Sequence, residues 1–189
     1  RLLGSYSIDR RNKKIIFENK IDWQISSILP QFIQDLGQSL LTSSDLQLHG
    51  QRITIEELKY SQPKMNEDRC QISMLSPITI YSTYEKENGK KITQYFGPHD
   101  AVFSHLIEEN LKKKYKAYYG EVNEDEEFKI RPVRVSRKDK VITRFKGFII
   151  NAWGGTYEIQ GSPEMINFAQ SVGIGGKNSQ GFGMFETVY

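Results

Sequence analysis

Five of the 15 glycines in this 189-residue chain fall within eleven residues near its end, Gly173-Ile174-Gly175-Gly176-Lys177-Asn178-Ser179-Gln180-Gly181-Phe182-Gly183. A regular helix or strand does not carry that density, because glycine loses more backbone freedom on ordering than any other residue. It suits a segment that needs positive φ, or backbone N–H groups with nothing between them and a bulky ligand. Ile174 and Phe182 each sit between glycines, so either end of the loop can pin a side chain into the core while Gly176 to Gln180 stay free. Such a loop can turn successive amides toward a phosphate, with Lys177 adding a full charge and Asn178, Ser179 and Gln180 adding neutral donors. The same residues also read as a glycine-rich turn leading to a last strand. A nucleotide P-loop fits worse. Its leading glycine would fall on Ser171, Asn178 follows the lysine where Ser or Thr belongs, and too little chain remains for a phosphate-capping helix.

An anion-binding reading asks where the rest of the charge lies. The net charge is +3, but Lys129 to Lys146 holds eight basic residues against Asp139 alone, leaving the remainder with 18 basic and 22 acidic groups. A basic stripe on a mildly acidic body is an electrostatic footprint for a polyanion, or a solvated face. Cys70 is the single cysteine, which rules out an intrachain disulfide and a cysteine-rich zinc site and points to a reducing cytoplasm. Nothing in the sequence resembles a membrane span or signal peptide.

Taken in order, Leu2 to Ile8 and Lys13 to Glu18 read as a hairpin around Asp9 to Asn12, and Ile21 to Ile28 as extended. Pro30 at a first helical position, then Phe32, Ile33, Leu36 and Leu40, predict an amphipathic helix to Leu41. Short strands follow at Leu46 to Leu48 and Arg52 to Ile55. This order is the second half of a βαββαβ ferredoxin-like unit without its opening strand and helix, so a preceding segment is expected. The chain is expected to change domain between Glu56 and Met65, giving domains 1–58 and 59–189. Beyond it, Arg69 to Tyr84 is a strand region broken by Pro77, and Lys91 to Phe96 returns. Asp100 is the expected N-cap of a helix burying Val102, Phe103, Leu106, Ile107, Leu111 and Tyr115, with Asn110 as a polar exception and Lys112, Lys113, Lys114 and Lys116 suiting its C-terminal end. Glu121 to Glu127 reads as an exposed acidic loop. Two basic strands, Phe128 to Ser136 and Val141 to Lys146, follow, with Pro132 marking an edge or bulge and Ile142, Arg144 and Lys146 sharing one face. A strand from Phe148 to Ile159 broken at Gly154-Gly155, a helix from Pro163 capped by Ser162, and a last strand from Phe182 to Val188 complete a second ferredoxin-like order. The fold class is therefore α+β.

The glycine pattern at the very C-terminus, preceded by Gly161-Ser162-Pro163-Glu164 and a short helix, resembles the signature of the CRISPR-associated endoribonucleases that process precursor guide RNA, members of the RAMP superfamily. The likeness extends back through Lys146-Gly147 to about Leu2. It implies two tandem ferredoxin-like domains holding CRISPR repeat RNA, with no cofactor. It also implies metal-independent cleavage in which the 2′-hydroxyl attacks the adjacent phosphorus and leaves a cyclic phosphate. A non-catalytic repeat-binding subunit of a CRISPR effector complex, with other effector subunits as partners, is the alternative. In many members the acid–base histidine ends the first helix of the first domain, which is expected upstream of Arg1. His49, His99 and His105 are expected in surface or packing roles, and the catalytic residues stay unassigned. The expected RNA contacts are Gly173, Gly175, Gly176, Lys177, Asn178, Ser179, Gln180, Gly181 and Gly183 in the loop, with Arg144, Lys146, Arg134 and Arg137 on the basic stripe. Trp153 is either a core residue or a platform for a base.

Overall fold

Alternation of apolar and polar residues decides the main sheet. In Phe128–Arg134 the residues Phe128 and Ile130 turn inward, and in Thr156–Gly161 Tyr157 and Ile159 do so, each fully or almost fully buried. The structure, a computed structural model, describes residues 2–121 and 126–188; most of the acidic loop expected at Glu121 to Glu127 lies outside the described residues. Its strands are β1 (Leu2–Leu3), β2 (Tyr6–Asp9), β3 (Lys14–Phe17), β4 (Asp22–Trp23), β5 (Leu46–Leu48), β6 (Gln51–Ile53), β7 (Arg69–Met74), β8 (Ile80–Glu85), β9 (Lys91–Phe96), β10 (Phe128–Arg134), β11 (Lys140–Phe145), β12 (Phe148–Trp153), β13 (Thr156–Gly161) and β14 (Phe185–Val188). Its α-helices are α1 (Pro30–Thr42), α2 (Phe103–Tyr119) and α3 (Pro163–Val172).

The second half is built on one antiparallel sheet of order β10-β13-β7-β14, with α2 and α3 placed between strands in the order β7, α2, β10, β13, α3, β14. Two hairpins, β8–β9 and β11–β12, project from this frame as separate two-stranded sheets. Phe103, Ile107 and Leu111 of α2 and Met165, Ile166, Phe168 and Ala169 of α3 join Ile72, Ile130, Tyr157 and Ile159 of the sheet in a single core. Removing each large side chain from water contributes about 1.5–3 kcal/mol. The other sheet face is polar, and Arg131 there makes a bidentate pair with Glu158 at 2.7 and 2.9 Å.

Several boundaries differ from the sequence reading for local reasons. Asp100 does not cap α2: its carboxylate accepts the Gly97 N–H at 2.6 Å, and Val102 occupies the cap position with no side-chain bond. The two basic strands, whose pairing the sequence leaves open, lie in different sheets. β10 lies at the edge of the main sheet, with a register shift between Pro132 and Arg134, whereas β11 pairs with β12. Strand β11 ends at Phe145, so Lys146 leaves the face of Ile142 and Arg144 and enters the tight turn with Gly147, both at positive φ. The last strand starts at Phe185, three residues later than the expected Phe182.

In the first half the helix forms where expected, but none of its residues is buried, and Phe32 and Leu41 are 50% and 65% exposed. Its six strands pair two by two, β1 with β4, β2 with β3 and β5 with β6, rather than in one sheet. The connecting segment is fastened to α3, because Asn167 accepts the Met65 N–H and donates to its carbonyl, both at 2.8 Å.

Candidate nucleic-acid interface

Helix α3 feeds the glycine loop. Ser162 caps it by accepting the Met165 N–H, Pro163 opens it, and Gly173 ends it at φ +79°. Ile174 then enters the core completely buried. The loop closes on itself and on the β7–β8 connection through three main-chain bonds: Ile174 N–H to Gly183 O, Gly183 N–H to Pro77 O, and Gly176 N–H to Thr79 O, at 2.8–2.9 Å. A Cβ at Gly183 would stand 2.0 Å from the Ile174 carbonyl, and one at Gly175 2.5 Å from the Thr79 carbonyl. Here glycine is required by close approach as well as by positive φ.

Lys177 adopts a left-handed conformation, φ +58° and ψ +31°, and the chain then makes a right-handed 3-10 turn over Asn178–Gln180. Alternation of this kind arranges successive N–H groups around a concavity that suits an anion. The amides of Gln180 and Gly181 bond within the turn, to Lys177 O and Asn178 O. Those of Lys177, Asn178 and Ser179 make no hydrogen bond to any described residue. Ser179, Gln180 and Gly181 are exposed and Lys177 half-buried, so the turn meets solvent while its roots are buried. The Lys177 ammonium stands 4.9 Å from the ring centroid of Tyr81.

The sequence reading missed the residue that organises this loop. Lys114 of α2 places its ammonium 2.9 Å from Gly173 O, 2.7 Å from Gly175 O and 2.7 Å from Asn178 Oδ1, using all three of its N–H bonds. Burial lowers its pKa to about 8. Asn178 also differs from its expected role. Its carboxamide nitrogen donates to Ile174 O and Phe182 O while its oxygen accepts from Lys114, so the side chain holds the loop together and only its main-chain amide is left unbonded. A lysine 64 residues away in sequence gave no local signal; α-helical periodicity alone cannot tell a solvated lysine from one reaching a loop.

The expected basic contacts are dispersed. Arg137 and Lys138 lie in a 3-10 turn held by Asp139, whose carboxylate accepts the Ser136 N–H at 2.7 Å and is thereby kept below the usual carboxylate range. Arg134 ends the edge strand opposite Thr156. Arg144 and Lys146 stand at the far end of the β11–β12 hairpin, Arg144 about 13 Å from its base at the rise of a strand. The Lys146 ammonium lies over the ring of the neighbouring Phe145, 5.5 Å from its centroid. His49 occupies an exposed turn, His99 an exposed loop, and His105 pairs with Glu109 on the surface of α2 at 3.6 Å.

Comparison with known proteins places this geometry. The fold is shared with solved structures of the Cas6 and RAMP type. One described as the characterization of a Cas6-related gene from Pyrococcus furiosus superposes with a TM-score of 0.83 at 21% identity, over all of this chain and 76% of that one. Another, described as an RAMP protein binding different RNA substrates, gives 0.72 at 20% identity, over all of this chain and 78% of that one. The chain belongs to the family described as CRISPR associated protein Cas6, C-terminal, whose model matches residues 60–187. The CRISPR-associated endoribonuclease Cas6 1 of Methanocaldococcus jannaschii is 31% identical over 169 residues, 87% of this chain and 62% of that protein. The CRISPR-associated endoribonuclease Cas6 of Pyrococcus furiosus is 25% identical over 162 residues, 84% of this chain and 57% of that protein. This chain therefore spans about three fifths of the length of these relatives. No helix among the described residues is long and apolar enough to cross a membrane.

Proposed function

We propose that the chain binds CRISPR repeat RNA through the glycine loop, as part of a protein that cleaves precursor CRISPR RNA. The observation that carries this is the set of three successive unspent amides at Lys177, Asn178 and Ser179 beside one ammonium, on a loop whose root is held by main-chain bonds and by Lys114. A preorganised set of donors with no internal acceptor suits the non-bridging oxygens of a phosphodiester. The relatives' names supply the substrate class, and the loop supplies the chemistry that would hold it.

Cleavage in this reading forms the 2′-oxygen to phosphorus bond and breaks the bond from phosphorus to the 5′-oxygen. One proton leaves the 2′-hydroxyl to a base and another reaches the departing 5′-oxygen from an acid, giving a 2′,3′-cyclic phosphate and a 5′-hydroxyl. The loop contributes stabilisation of phosphate charge rather than either proton transfer. The architecture we propose is two tandem ferredoxin-like units, residues 1–58 contributing to the first and 59–189 forming the second. The order of strands and helices from β7 to β14 supports the second unit.

Incubation of the full-length protein with repeat RNA in EDTA tests the reaction. A 2′,3′-cyclic phosphate product is expected. Strict dependence on a divalent ion overturns the mechanism, and tight binding without cleavage supports the non-catalytic effector subunit instead.

A further inference from the structure

The segment that anchors the glycine loop also supports a cleft of about 290 Å³, bounded by Tyr95, Gly97, His99, Lys140, Asn151 and Trp153. Its floor is fixed by the main chain, since Trp153 and Ile78 exchange two N–H to carbonyl bonds of 2.8 Å at the base of the β11–β12 hairpin. The next residue, Thr79, receives the Gly176 N–H from the loop and donates its hydroxyl to Asn151 O at 2.8 Å. Loop and cleft thus share adjacent residues of one strand approach.

The lining is particular in its chemistry. Gly97 lets the indole of Trp153 lie against the main chain, where a Cβ would come within 3.2 Å of Cζ2. The Lys140 ammonium lies 5.5 Å from the indole centroid. The Asn151 carboxamide and the Trp153 indole N–H make no hydrogen bond to any described residue. From the loop, a continuous line of groups leads here. Lys177 stands over Tyr81, Tyr81 and Tyr95 are cross-strand neighbours with centroids 5.5 Å apart, and Tyr95 forms the cleft wall.

We propose that this cleft takes an unpaired nucleobase of the same RNA strand whose phosphate the glycine loop holds, an inference that rests on the RNA-binding reading above. Trp153 and Tyr95 supply aromatic surface for the base, Asn151 supplies a donor and an acceptor for its edge, and Lys140 supplies charge for its phosphate. Alternating cations and aromatic faces are what a single strand requires, because every base has a stacking face and every linkage a charge. The volume lies near the lower end of small-molecule sites, about 300 Å³, and suits one ring system rather than an extended ligand. A carboxamide pairs well with the amino and ring-nitrogen edge of adenine, which makes adenine the favoured base.

The test uses the Trp23→Phe protein, whose emission less that of the Trp23→Phe, Trp153→Phe protein isolates Trp153, titrated with a fluorescein-labelled single-stranded adenine-rich RNA. Anisotropy reports binding and indole emission reports the cleft. Quenching of Trp153 along the same isotherm as the anisotropy is expected. Asn151→Ala should weaken binding about five- to tenfold, and a sugar–phosphate oligomer lacking bases should raise anisotropy without quenching. Anisotropy change with unquenched Trp153 and an unaffected Asn151→Ala overturns the nucleobase site while leaving the loop reading intact. Absence of any anisotropy change overturns both. Equal quenching by free AMP at the same concentrations overturns the proposal in favour of a free-nucleotide site.

Discussion

The ammonium of Lys114 lies 2.7 Å from the carboxamide oxygen of Asn178, joining the middle of α2 to a loop 64 residues further along the chain. With the carbonyls of Gly173 and Gly175 as its other acceptors, this one cation replaces what would otherwise be three unsatisfied oxygens at the loop's root. Its three bonds hold the root of the turn whose Lys177 to Ser179 amides are unspent.

Lys114→Met should therefore loosen the loop without removing any group that meets RNA. Leaving buried acceptors unpaired costs about 1–3 kcal/mol, read as a lower midpoint in urea denaturation. Repeat-RNA affinity should fall as well. A variant of lowered stability with unchanged affinity would show that the loop holds its shape without the lysine.

The same residue sets a pH dependence. Its folded-state pKa is lowered to about 8 from 10.5, so between these values the unfolded chain binds more protons than the folded one. This group's contribution to stability consequently rises with pH across that window. Loop order moves the other way, because the neutral amine has two N–H bonds for three acceptors. RNA affinity at fixed ionic strength should decline from pH 7 to 9 in the wild type and less so in Lys114→Met. Parallel profiles in the two proteins would contradict this.

Two glycines separate close approach from backbone conformation. Gly183→Ala places a Cβ 2.0 Å from a carbonyl oxygen, whereas at Gly181, also at positive φ, a Cβ meets nothing within 4 Å. Gly181→Ala should cost about 1–2 kcal/mol from conformation alone. Gly183→Ala should cost substantially more, measured by thermal unfolding. Equal losses would mean that the loop is free to open at its root.

Charge removal should be legible in salt dependence. Lys177→Ala should weaken repeat-RNA binding and reduce the slope of log K against log salt by about one. Arg144→Ala, at the end of the exposed hairpin, should reduce the slope by a similar amount if that hairpin also meets the backbone of the RNA. Unchanged slopes in both would place the RNA elsewhere on the protein.

Much of this arrangement is readable in the residues because it is local. Ser162-Pro163 announces α3, paired glycines announce the loop, Pro132 announces an edge, and Gly154-Gly155 separates β12 from β13. What sequence hides is partnership at a distance. The periodicity of Val141 to Phe145 specifies a strand but not its mate, so β11 joins β12 rather than β10. Asp100 has the chemistry of a helix cap but finds the Gly97 amide first. Lys114 sits among four lysines of one helix, and only the folded chain shows which of them turns inward to the loop. The apolar stripe of α1 predicts a helix correctly, yet periodicity does not show what covers it.

The most direct measurement is the amide spectrum of the isotopically labelled protein on addition of repeat RNA. The account predicts that the Lys177, Asn178 and Ser179 N–H resonances shift strongly on saturation, while Ile174 and Gly183, bonded at the loop's root, move little. Unshifted resonances at Lys177 to Ser179 in a saturated complex would contradict it.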